Sequence, residues 1–427
     1  MESKKDPTKY EEEKRSSKEE YSFLQETIKR EPVTWKMITG HLGKLALYGV
    51  IFGVMACIGF YALKPWAEKT FYKDSGKVTI PKDEEEDADG EKTEEVNEPV
   101  EPVFTMESVE KLEQAIYEVA REAGHSVVEI QGIHGDEGWI RENFDTANSV
   151  SGVIIADTGA QFLILADNSI VEKSESFTVT FEDSHVYETK LQKQDKNLGI
   201  AIFTVSKAML EKGTLNYAKP LALGNSHLLR KGGAVIALGK PFGYSGGYGW
   251  GEVSSVKKVI SPADGDYGLI LTDIPGASNG TGILVNTTGE MIGMIRHQIT
   301  SGEHVTVTNA LAISDLKAVI ELLSNNQSVP YIGIYGKDVT EQIEEEQGIP
   351  RGVYVKNVEA ESPAMAAGIQ SGDVITSVGK TKISTLNAYQ NAVIEYKVGE
   401  EVTLHGKRKG NNGYVEIAFK VVIGSRE

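Results

Sequence analysis

The stretch LTDIPGASNGTGILVNTTGEMIGMI, Leu271 to Ile295, holds two apolar runs of strand length, TGILVN and EMIGMI, behind a loop of small residues and turn formers. Similar short runs stand upstream of it. HSVVEIQGI, SGVIIA, FLILA and FTVTF are broken by turn signals at Asp157-Thr158-Gly159 and Glu182-Asp183-Ser184, and AVIALGKPF, GEVSSVKKVI and GLILTDI lead into the quoted stretch. Many short strands with little helix between them predict a mostly β domain, a barrel or sandwich. ESVEKLEQAIYEVAREAG, from Glu107, carries apolar residues at helical spacing and opens the domain, and NALAISDLKAVIELL, from Asn309, closes it with a helix.

The chain has 427 residues, 40% apolar and 25% charged, enough for two or more packed domains. A net charge of −18 excludes a nucleic-acid binder, which needs clustered Lys and Arg against phosphate. Cys57 is the single cysteine, so there is no internal disulfide framework and no multi-cysteine metal site. Eight histidines occur without a ligand-spaced pair, and neither a metal nor a cofactor is expected.

From Leu45 to Leu63 the chain reads LALYGVIFGVMACIGFYAL, uncharged between Lys44 and Lys64. As a helix it spans ~28 Å, close to a bilayer core. It follows a long polar segment and ends in LKPWAEK, with Tyr48, Tyr61 and Trp66 near its ends like interfacial aromatics, so it reads as an uncleaved anchor. Lys29, Arg30, Lys36 and Lys44 precede it and Lys64, Lys69, Lys73 and Lys77 follow, which leaves its orientation open. Gly49 and Gly53 form a GxxxG step at which two anchors can pack. Residues 1–44 are a polar tail, and residues 64–104 are a linker whose acidic part, PKDEEEDADGEKTEEVNEPVEP from Pro81, repels itself and buries no core.

HSVVEI, SGVIIADTG, LALGNSHLLRKGGAVIALGKPFG, GEVSSV, LTD and TGILVNTTGEMIGMI, in this order, resemble the trypsin-like domain of HtrA/DegP-type serine proteases. YIGIYGKDVT, from Tyr331, and GIPRGVYVKNVEAESPAMAAGIQSGDVITSVGKTKI, from Gly348, resemble the PDZ domain that follows it in that family. The resemblance implies a trypsin-like double β-barrel over 105–325 and an α+β PDZ domain over 329–427, behind a single transmembrane helix. The anchor and spacer resemble those of membrane-anchored HtrA-like proteins of Gram-positive bacteria. That implies a cytoplasmic tail at 1–44, with the barrels outside the cell. It also implies a homo-oligomer, commonly a trimer in this family.

The family's nucleophile loop is of Gly-Asn-Ser-Gly-Gly-Pro-Leu-Val-Asn type. Aligned backwards from Leu284-Val285-Asn286, it puts Gly280 at the serine and Thr281 and Gly282 at the glycines. Aligned forwards from Thr272-Asp273, it puts Thr281 at the serine, because the loop is one residue short; Ser278 and Asn279 fall earlier. Ser169, in FLILADNSIV, stands where the family has its histidine, and Gly199, opening GIAIF, where it has its aspartate. Asp195 and Asn197 become counterparts of the aspartate only if the register slips. A hydroxyl needs a base within hydrogen-bond reach, itself oriented by a third group. His297 is the nearest replacement in sequence and reads more simply as an ordinary strand or surface histidine. The expectation is therefore a degenerate triad at Ser169, Gly199 and Gly280; the alternative is an active endopeptidase rearranged around Thr281 or Ser278.

Tyr331-Ile332-Gly333-Ile334 matches the family's carboxylate-binding turn, with backbone N–H groups converging on a peptide's terminal carboxylate. Leu386, Tyr389 and Val393, at i, i+3 and i+7 of a helix within Thr385–Lys397, either line the pocket for the ligand's last side chain or face the core. The expected partners are peptide C-termini or unfolded segments, bound at the cell surface, or an active relative that the protein modulates.

Overall fold

The computed structural model describes residues 77–83, 105–133, 148–296 and 307–427. The expected span at 45–63 with its GxxxG step, the polar tail, most of the acidic linker and His297 lie outside the described residues. Among the described residues no helix is long and apolar enough to cross a membrane.

Twelve strands close into two barrels. The first comprises β1 (Val127–Ile133), β2 (Ser149–Asp157), β3 (Gln161–Asp167), β4 (Ser176–Thr180), β5 (Val186–Asp195) and β6 (Ile200–Ser206), in the order β1-β2-β3-β6-β5-β4. The second comprises β7 (Ala234–Lys240), β8 (Gly247–Ile260), β9 (Tyr267–Pro275), β10 (Thr281–Val285), β11 (Met291–Ile295) and β12 (Val307–Ala312), in the order β10-β11-β12-β9-β8-β7.

The near-continuous apolar runs follow from burial on both strand faces. Ile164 points into the first barrel with Ile130, Val179 and Phe203, while its neighbours Leu163 and Leu165 point out. These meet Ile236, Leu238 and Ile283 of the second barrel in a shared core between the two. Leu284, between Ile283 and Val285, faces the interior of the second barrel. The alternation of period two is present, but water lies on neither side, so no polar residues mark it.

Helix α1 (Met106–Gly124) starts at the Thr105 cap, where Thr105 and Ser108 exchange bonds as a capping box, and buries only Ile116, Ala120 and Ala123. Helix α2 (Ile313–Ser324) lays Leu316, Val319, Ile320 and Leu323 onto the inter-barrel core. The segment read as one helix from Asn309 begins instead as strand: Ala310 pairs Ile270 of β9 and faces the second barrel, whereas Leu311 faces the shared core. Pairing with β9 fixes these residues at period two before the helix starts.

The last domain is a sheet of β13 (Ile334–Asp338), β14 (Val353–Val358), β15 (Val374–Val378), β17 (Glu401–Gly410) and β18 (Gly413–Val422) in that order, with β16 (Thr381–Lys382) beside β15. Helix α3 (Leu386–Ile394), capped by the Thr385 side chain, covers it. SPAMAAGIQSGDVI forms a short helix, Pro363–Ala366, then a turn into β15. β13 is an edge strand, with β14 on one side only.

Asp195, at the end of β5, is buried and accepts from the N–H of Asn197 at 2.7 Å. Burial pushes its carboxyl up from an ordinary 3.8 to about 6, against the backbone bonds and the nearby Arg426 and Arg296. A raised acid binds its proton more tightly folded than unfolded. Ionising it therefore opposes folding fully above pH ~6, and this opposition fades as pH falls towards ~4. Asp195→Asn, which keeps the acceptor, is expected to stabilise the fold at pH 8 by up to about 3 kcal/mol and to change nothing at pH 4. Thermal midpoints at the two pH values check this; equal midpoints for both chains at pH 8 would contradict it.

Candidate functional site

Ser169 lies in the short 3-10 helix Asn168–Lys173 that follows β3, and its N–H donates to Asp167 Oδ1 at 2.8 Å. Gly199 precedes β6 with φ +70°, and a Cβ there would run into the guanidinium of Arg296. That guanidinium lies with Nε 3.6 Å from Asp167 Oδ2, so a cation fills the space beside Gly199. A Cβ on Gly280 would sit 2.5 Å from the Pro241 carbonyl oxygen and 2.9 Å from that of Ala277. The Gly280 N–H itself donates to Ala277 O at 2.9 Å, turned into the loop. Thr281 is buried, and its Oγ1 accepts from Ser151 N at 2.9 Å. Ser278 and Asn279 are exposed in the turn before it, and Gly282, with φ +147°, packs against Leu238 O.

Four histidines fall among the described residues. His125 pairs with Glu182, His185 lies 3.2 Å from Asp183, His227 lies 3.9 Å from Asp315, and His405 is on β17. Among the described residues none of them bonds to Ser169, Ser278 or Thr281. The basic group that sequence reasoning missed is Lys240, the register partner of Thr281. It is buried, donates to Ser149 O at 3.1 Å and to Ser149 Oγ at 2.9 Å, and burial pushes its ammonium below the usual range. Its signal in the sequence was a lysine ending the apolar run AVIALGK. Among the described residues no group of three or more His, Cys, Asp or Glu is placed to hold a metal.

The second cluster lies at the junction of barrel and PDZ-like sheet. Tyr331, Ile332, Gly333 and Ile334 are buried. Gly333 has φ +95°, and any Cβ there would press on Ser362 and, at 2.9 Å, on the Tyr331 hydroxyl, so only glycine fits. The N–H groups of the turn do converge on a carboxylate, which is the chain's own. Asp264 Oδ2 accepts from Ile332 N and Gly333 N at 2.7 Å each, and Oδ1 accepts from Ile334 N at 3.0 Å and from the Tyr389 hydroxyl at 2.8 Å. Asp264 N donates to Ile334 O at 2.8 Å.

Burial pushes the Asp264 carboxyl up, while the three N–H bonds and Tyr389 pull it down. Burial and the adjacent carboxylate raise the Tyr389 phenol well above its usual range, which keeps it a donor. Leu386 and Val393 are buried in the core beneath α3, together with the ring of Tyr389. Nothing local in the sequence marked Asp264, which sits 68 to 70 residues from the N–H groups it binds.

Two closed six-stranded barrels followed by a sheet with a glycine turn at its edge define a trypsin-like peptidase fold joined to a PDZ domain. The family models for "Trypsin-like peptidase domain" and "PDZ domain" match residues 150–294 and 330–419. The chain is 30% identical over 281 residues to the serine protease Do-like HtrB of Bacillus subtilis, covering 61% of this chain and 59% of that protein. It is 29% identical over 303 residues to the serine protease Do-like HtrA of the same organism, covering 66% and 64%. The matches thus span about three-fifths of these curated relatives' length.

Among solved structures, the HtrA-type protease AlgW with tripeptide superposes with a TM-score of 0.52 at 21% identity, covering 73% of this chain and 97% of that one. A serine endoprotease from Yersinia pestis gives 0.50 at 22%, covering 73% and 98%. The chain thus carries a trypsin-like peptidase domain followed by a PDZ domain, and the matches support a likeness to HtrA/DegP-type serine proteases.

Proposed function

We propose that this protein is a membrane-anchored HtrA-like pseudoprotease that binds peptide C-termini through its PDZ domain and does not hydrolyse them. The observation that carries this is the guanidinium of Arg296 where an aspartate side chain at position 199 would stand. An imidazolium formed in catalysis needs a carboxylate there to orient and stabilise it, and a cation opposes it. The inward-turned Gly280 N–H and the engaged Thr281 hydroxyl support the same reading. At the other cluster, the Ile332 to Ile334 N–H groups retain the geometry that seats a carboxylate. The proposed ligands of that seat are peptides ending in an apolar residue, from unfolded or cleaved envelope proteins or from a protease that the protein modulates.

A second reading rests on Lys240, a buried lysine of lowered pKa within 2.9 Å of a serine hydroxyl, Ser149 Oγ, which is the relation of base to nucleophile. One experiment separates the two. The full chain is expected neither to cleave casein nor to react with a fluorophosphonate probe, and Gly280→Ser is expected to remain silent for want of a base. Loss of the serine or histidine of a working triad removes ~10⁶-fold in kcat, so any rate near that of an active relative contradicts the proposal. Labelling abolished by Ser149→Ala would establish the lysine-based site, and labelling abolished by Thr281→Ala or Ser278→Ala a rearranged one.

The anchor reading places residues 45–63 in the cell membrane with the barrels outside. Protease added to intact cells should then remove the barrels and PDZ domain and spare the tail at 1–44. Protection of the barrels would reverse the topology.

A further inference from the structure

The seat in the PDZ turn is filled from within the chain. Asp264 belongs to the loop 261–266 between β8 and β9 of the second barrel, and it makes the two kinds of bond that a peptide's last residue would make there, a carboxylate on backbone N–H groups and an N–H on a strand edge. Its carboxylate takes the three turn N–H groups, and its own N–H meets Ile334 O on the open edge of β13, where an added strand would make its first bond. Gly265, next in the loop, lies against α3: a Cβ there would come within 2.6 Å of Gln390 Oε1. The loop is held from behind as well, because Asn197 Nδ2, of the first barrel, donates to Ala263 O at 2.8 Å.

Two features mark this contact. Asp264 has φ +65°, a left-handed conformation that most side chains avoid and that Asp tolerates better than most. The space beside the carboxylate, bounded by Asp195, Tyr267, Tyr331, Gln390 and Val393, is about 30 Å³. That is room for a water or two, not for the branched side chain of a peptide's last residue.

We infer that Asp264 is an internal ligand of the PDZ domain, standing in for a peptide C-terminal carboxylate, so that the domain captures a peptide only when the loop 261–266 withdraws. The inference rests on reading Tyr331–Ile334 as a peptide seat and adds how that seat is controlled. A peptide must displace four donor bonds already satisfied, so its apparent affinity is reduced by the fraction of chains whose seat is open.

The test uses the full chain and two variants, Asp264→Ala and Asp264→Gly, the second of which tolerates the left-handed backbone. Amide hydrogen exchange reads the seat without any ligand. The Ile332, Gly333 and Ile334 amides are expected to be protected in the native chain and to exchange at least tenfold faster in both variants, while β15 stays protected as a control for folding.

Binding is then measured with fluorescein-labelled heptapeptides ending in Val, Leu, Ile or Phe, each as free acid and as C-terminal amide. The free acids are expected to bind both variants at least tenfold tighter than the native chain, and the amides to gain nothing. Unchanged exchange in both variants would show that Asp264 does not occupy the seat. Faster exchange with equal peptide affinity for native and variant chains would overturn the gating. Faster exchange with no binding of either peptide form to any chain would remove the peptide-seat reading itself and leave Asp264 as a structural link.

Discussion

A buried carboxylate satisfied by four donors is the constraint on which the arrangement of barrel and PDZ domain depends. Unpaired, the Asp264 charge would oppose burial by several kcal/mol. Paired with Ile332, Gly333, Ile334 and Tyr389, it ties the barrel loop to the PDZ turn through four charge-assisted bonds that converge on one side chain. A second contact crosses between the domains, Lys196 N donating to Arg426 O at 2.9 Å; within the PDZ domain the Arg426 guanidinium lies over the Tyr331 ring at 5.7 Å, and Tyr331 pairs with Gly424.

The same contacts bring the PDZ seat close to Gly199, the position at which the family resemblance expects an aspartate. Asp264 follows Ala263, which Asn197 holds; Asn197 lies two residues before Gly199, and Arg296 fills the space beside Gly199. Carboxylate seat and Gly199 are thus joined by a few residues of loop rather than by a long relay. In the proposed function the barrels provide a rigid wall for the loop that caps the seat, a task needing packed strands and no nucleophile.

Much of this fold was legible in the sequence. Runs such as FLILA and TGILVN are buried on both faces, and their length and bounding turns mark them as strands even without polar alternation. The segment from Asn309 was misread because an apolar run of this kind suits strand or helix equally, and only pairing with β9 decides for its first residues. The turn at Tyr331–Ile334 was visible through its resemblance to the family's carboxylate-binding turn, and Gly333 supplies the glycine its geometry needs. Asp264 and Arg296 were not visible, and Lys240 showed only as a lysine ending an apolar run. Their roles depend on which distant loop folds against them, and a Ser-Pro-Ala-Asp-Gly-Asp turn looks like any other turn until the PDZ domain docks on it.

The central claim is a specific energetic link between the barrel carboxylate and the PDZ donors. A double-mutant cycle on the stability of the full chain, with Asp264→Ala and Tyr389→Phe singly and together, measures it most directly. Tyr389→Phe removes one donor and leaves the ring in the core. Two groups bonded in a buried network couple by about 0.5–3 kcal/mol, and the account predicts at least about 1 kcal/mol here, the double variant losing less than the sum of the single losses. Additive losses, with a coupling of zero, would contradict it.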